Sequence, residues 1–169
     1  MENDTNQIKK EHFLEGVAYL LLETFEGSPE GKGSAYLDRG VGIFSTLETV
    51  SAEEASHDFH GTTIAAQTEH AKFYLDRICE FIQGRTERIN WEDSWLIETV
   101  DPAEWDALRG SVRKSYENTL RCIAGVESWS DTNLGMAMGM VAHTAYHLGA
   151  VRQITKAAKS THLSNSVTI

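Results

Sequence analysis

Apolar residues recur at three- and four-residue intervals through four long stretches of the chain, the spacing of amphipathic helices. The first stretch predicts a helix over 7–26, with Phe13, Val17, Leu20 and Leu21 on one face. Residues 27–33, with three glycines and Pro29, break it. Residues 34–59 predict a connector with short helical turns around Ile43, Leu47 and Val50. Ser51 and Glu54 there have the spacing of a capping box. The second long helix starts at Thr62 or Thr63, runs to about Gln83 and stops at Gly84. The third starts at Asp101 and Pro102 and carries Trp105, Leu108, Val112, Tyr116, Leu120 and Ile123 on its apolar positions. The fourth runs from Asp131 or Thr132 to about Lys159 and leaves 160–169 as a frayed tail. No stretch alternates as a strand would. The pattern predicts an all-α fold, a four-helix bundle. The connector over 85–100 is long enough to cross the bundle from end to end, which would make the second and third helices parallel.

Composition narrows the functions. The 169 residues suit one domain over 1–169, and 41% hydrophobic with 24% charged residues excludes wholesale disorder. There are 25 acidic and 15 basic residues, for a net charge of -10. Such a surface repels phosphate backbones and anionic lipid, so neither nucleic acid nor membrane is an expected partner. The N-terminus lacks a signal-peptide layout, and the longest apolar run, 17–22, is too short to span a bilayer. Cys79 and Cys122 form no C-x-x-C pair and are expected to be buried, inert thiols. The expected location is cytoplasmic.

Seven histidines carry the candidate chemistry. His143 and His147 stand four apart in the fourth helix, so both imidazoles share one face. Met136, Met140, His143, His147, Ala150 and Ile154 follow at helical spacing, which puts the pair in the core-facing stripe. His70 lies on the matching face of the second helix with Tyr74, Ile78 and Phe81. Buried imidazoles must have their nitrogens satisfied, and one metal ion shared by the three would do so. Ring nitrogens that share an ion at ~2.0–2.1 Å would lie within ~4 Å of each other. Three ligands leave coordination positions open, the mark of a catalytic rather than a structural site. Residues 144 and 145 are Thr and Ala, so the H-E-x-x-H of zinc proteases is absent. His57 and His60 flank Asp58 ahead of the second helix and are read mainly as capping or preceding it, with a second ligand cluster as the other role; His12 and His162 are read as exposed.

With His70 in TEHAKFYL (68–75) and the pair in AHTAYHLG (142–149), the chain resembles the DinB-like (DinB/YfiT) superfamily of metalloenzymes over about 8–157. The Tyr-His-x-Gly portion is the most specific piece. Many members place Gln-Ile directly after the glycine, whereas here Gly149 is followed by Ala150, Val151, Arg152, Gln153 and Ile154. The resemblance implies an up-down-down-up four-helix bundle with a crossover between helices two and three. It also implies a divalent metal, zinc or nickel, on His70, His143 and His147. Characterised relatives include transferases and isomerases that use a low-molecular-weight thiol.

Two function classes follow. One is a metal-dependent enzyme, a thiol S-transferase or a hydrolase, acting on a small molecule. The other is a non-enzymatic bundle with a structural or vestigial metal site that binds a small ligand or partner. No carboxylate is evident on the ligand faces, since Glu69 points about 100° away from His70, which weakens hydrolysis. Trp91, Trp95 and Trp105 are read mainly as pinning a long loop to the bundle, with the mouth of a pocket as the other role. Gly135 and Gly139 in the fourth helix point to a close helix contact, within the chain or with a second copy. A homodimer is expected.

Overall fold

The computed structural model describes residues 9–31 and 33–165. Six α-helices follow in order: α1 (Lys10–Glu26), α2 (Ile43–Glu48), α3 (Ala52–Ser56), α4 (Ile64–Ile82), α5 (Pro102–Gly125) and α6 (Asp131–Asn165). A 3-10 turn, Trp91–Trp95, interrupts the connector between α4 and α5. The described residues contain no strand, so the fold is all-α as expected, and none of their helices is long and apolar enough to cross a membrane.

The caps fall where the side chains dictate. Thr63 Oγ1 accepts from the Ala66 N–H at 3.0 Å and opens α4. Asp101 and Glu104 bond reciprocally, each at 2.8 Å, ahead of Pro102 in α5. Ser51 and Glu54 do the same for α3. Two helix ends differ from expectation. α1 begins at Lys10, the earlier positions up to Ile8 lying outside the described residues. The supposed tail from 160 is helical through Asn165, because no glycine or proline interrupts 159–165; residues 166–169 lie outside the described residues.

The four long helices contact one another in a ring. α4 packs on α5 and α6, and α1 packs on the same two. Leu21, Phe25, Ile64, Leu75, Met140 and Leu148 fill the space between them and are almost wholly buried. The short helices close one flank, where Phe44 of α2 meets Phe25 and Tyr116 at ring separations of 5.6 and 5.5 Å. Trp105, 2% exposed, donates its indole N–H to the Val50 carbonyl at 2.8 Å and fixes α5 to the α2–α3 turn. That is the pinning role expected of a tryptophan in this region. Where α1 ends, the chain returns across its own backbone: a Cβ on Gly42 would lie 2.7 Å from the Gly27 nitrogen.

One carboxylate is buried without a cation. Glu23 of α1 is fully buried and accepts from the Ser34 hydroxyl and from the N–H groups of Ala35, Tyr36 and Leu37. Burial alone would raise its pKa; these donors outweigh burial and bring it down to about 2. Because the folded pKa lies below the unfolded value of 4.5, its stabilisation is complete above that pH and is lost as pH falls toward 2. Glu23→Gln is expected to cost about 2–3 kcal/mol at neutral pH, measured by urea unfolding, with the gap narrowing at pH ~3. A variant as stable as the parent at neutral pH would contradict this.

Candidate metal centre

His70 is in the second turn of α4, and His143 and His147 are one turn apart in the facing α6. One ring nitrogen from each, all three together, lies within 4.8 Å of the others. Among the described residues no other group of histidine, cysteine or carboxylate side chains is gathered in this way. The three residues therefore converge and could hold a metal ion. That limit is looser than the ~4 Å expected of nitrogens that share one ion.

Hydrogen bonds set the tautomers. The Ser94 hydroxyl donates to the Trp91 carbonyl at 2.6 Å, so its oxygen must accept the Nδ1–H of His70 at 2.7 Å. The Gln67 amide donates its NH₂ to Thr62 Oγ1 at 2.9 Å, which turns its carbonyl oxygen toward His147 Nδ1 at 2.6 Å. That oxygen is only an acceptor, so His147 also carries its proton on Nδ1. In both rings Nε2 is left with a free lone pair. His143 Nε2 is buried and makes no hydrogen bond. Two free lone pairs beside a third buried, unpartnered ring nitrogen form a candidate donor set for a divalent cation.

The rings are held rigidly. Trp95 stacks on His70 with ring centres 3.9 Å apart, and Tyr74 stacks on His143 at 3.7 Å. Tyr74 fits because position 139 is glycine: a Cβ there would come within 3.0 Å of its hydroxyl. Gly139 thus makes the close helix contact that its place in the sequence suggested, while Gly135 has no neighbour in reach. Burial lowers the pKa of all three histidines; the nearby imidazoles add to this in His143, brought to about 4, and in His147, brought to about 3. At neutral pH all three are neutral, the form a metal requires.

Other candidates fall elsewhere. His57 ends α3, His60 is exposed with φ +53°, and His12 is exposed; the His162 side chain lies outside the described residues. Cys79 and Cys122 are free and buried, and the Cys79 thiol is pushed up by its bond to Cys122 and by burial. Glu69 pairs with Lys72 at 3.3 Å, and among the described residues no carboxylate joins the three histidines. Trp95 both pins the connector and stacks on a candidate ligand. Gln67 and Ser94 were missed by the sequence reading. Gln67, three residues before His70, was open to recognition from helical spacing, whereas Ser94 carried no signal.

No family model, characterised protein or solved structure matches the chain. The site therefore rests on its own geometry.

Gln67→Ala and Ser94→Ala should each weaken zinc binding by about 10–100-fold, because each frees a ring to turn or to change tautomer. Competition with a chromophoric chelator measures this. Unchanged affinity in both variants would show that the two hydrogen bonds do not organise the site.

Proposed function

We propose that the chain is a DinB-like metalloenzyme: an up-down-down-up four-helix bundle that holds zinc or nickel on His70, His143 and His147 and transfers a low-molecular-weight thiol to a small electrophile. The observation that carries the reading is His143 Nε2, buried without a partner beside two imidazoles whose Nε2 lone pairs are free. The ring of contacts among α1, α4, α5 and α6 supports the bundle, and the long connector before α5 supports the crossover.

A divalent ion there supplies Lewis acidity that lowers the pKa of a thiol or water. The chain's own residues favour the thiol. Water ionises with a pKa of about 15.7 and benefits from a general base, which the cluster lacks; a thiol starts near 8.5. In the transfer, the thiol proton passes to solvent and sulfur bonds to the electrophilic carbon. The leaving group departs with its electron pair. Buried Cys79 and Cys122 supply no nucleophile, so the thiol comes from outside. Gln67 and Ser94 hold two rings in the reactive tautomer, and Trp95 and Tyr74 keep their planes fixed.

A homodimer is part of the proposal. Gly135, Met138, Ala142, Tyr146 and Gly149 form an exposed strip of small and apolar residues along α6, which a second copy would cover. Light scattering should give twice the chain mass; the mass of one chain would remove this element.

The decisive variant is His147→Ala. Elemental analysis of untagged protein should find the parent loaded and the variant metal-free. The variant should also lose conjugation of cysteine or glutathione to 1-chloro-2,4-dinitrobenzene. The deleted ring leaves a hole costing about 2–4 kcal/mol, so circular dichroism must confirm the fold. A folded, metal-free variant that still catalyses conjugation would make the metal structural and overturn the reading.

A further inference from the structure

A cleft of about 600 Å³ opens beside the histidines, between the start of α4, the loop before it and the connector that carries Trp95. Its volume suits a small molecule. Ser56, Asp58, Thr62, Gln67, Trp95 and Glu98 are among its walls, and no lysine or arginine is among the described residues that line it. Ser56 and Thr62 are already engaged: Ser56 Oγ accepts from the Val100 N–H at 2.9 Å, and Thr62 Oγ1 accepts from Gln67. Of the side chains in these walls, the two carboxylates, the Thr99 hydroxyl and the indole are still open to a ligand. Asp58 accepts only the Gly61 N–H, at 3.3 Å, and neither Asp58 nor Glu98 is paired with a cation. His70 stacks on one face of Trp95, which also lines the cleft.

We propose that this cleft binds the ammonium-bearing end of a small molecule, the substrate of the adjacent metal centre. Two carboxylates and an indole, in a chain of net charge -10, attract a cation and repel an anion. An indole is the best aromatic partner for an ammonium group, and the pairing strengthens when water is excluded. The cleft also touches the site through two side chains. Gln67 borders it and holds His147; Trp95 borders it and stacks on His70. A ligand seated there is one side chain away from two of the three imidazoles. Its role as substrate rests on the metal-centre reading; the cleft's choice of a cation does not.

The test is an NMR titration of the full chain, freed of metal, that follows the Trp95 indole N–H and the Gln67 side-chain amide. Choline, agmatine and spermidine are the cationic probes, 3,3-dimethyl-1-butanol the neutral isostere of choline and succinate the anion. At least one cation should shift both signals with a Kd of about 1 mM or below, and the isostere and succinate should bind about tenfold more weakly or not at all. The double variant Asp58→Asn with Glu98→Gln should lose about tenfold in cation affinity. Three results would each overturn the proposal: no shift with any cation up to about 10 mM, equal binding of the neutral isostere, or unchanged affinity in the double variant. Zinc binding is measured in parallel. Cation binding without zinc binding would sink the metal reading and leave the cleft standing; zinc binding without cation binding would sink the cleft alone.

Discussion

Two hydrogen bonds decide what the histidine cluster can be. Gln67 and Ser94 accept the Nδ1 protons of His147 and His70, which turns the free lone pairs onto Nε2. Without them each ring could place its proton on either nitrogen or flip, and the same three residues could satisfy one another as ordinary buried imidazoles. With them, Nε2 of His70 and of His147 can only accept, and the buried His143 Nε2 beside them makes no hydrogen bond. A buried polar atom without a partner costs about 1–3 kcal/mol. A cation bound through that nitrogen would relieve the cost.

The scaffold serves this arrangement from both sides. α4 provides Gln67, His70 and Tyr74 at three- and four-residue steps, so a single helix face carries one candidate ligand, one hydrogen-bond partner and one stacking ring. α6 provides the other two candidate ligands one turn apart, with glycine at 139 beside Tyr74. The connector between α4 and α5 completes the site with Ser94 and Trp95 from one 3-10 turn. Losing that turn would remove a tautomer lock and a stacking face together.

The helices and the three histidines were readable in the sequence because both depend on a local period. Thr63, Asp101 and Ser51 mark helix starts through their own side chains, and each caps as expected. His70, His143 and His147 sit on apolar faces, so their convergence followed once those faces met. What could not be read depends on contacts distant in the chain. Ser94 lies 24 positions from His70, in a turn whose shape is tied to the stacking of Trp95. Glu23 looks like a surface carboxylate; only the loop that supplies its donors, 11 to 14 residues further on, makes its burial tolerable. The helical end of α6 was open to recognition, since no breaker stands between Lys159 and Asn165, and its polar composition was mistaken for a tail. The resemblance to DinB-like proteins rests on a few residues around the three histidines and stays a proposal.

The central claim is that three imidazoles share one ion through Nε2. The most direct measurement is long-range ¹⁵N–¹H NMR of the histidine rings during a zinc titration. Three of the seven histidines, His70, His143 and His147, should move to metal-bound Nε2 shifts together and saturate at one zinc per chain, with His70 and His147 keeping their proton on Nδ1. Saturation with fewer than these three rings engaged, or coordination through Nδ1 of His70 or His147, would contradict the account.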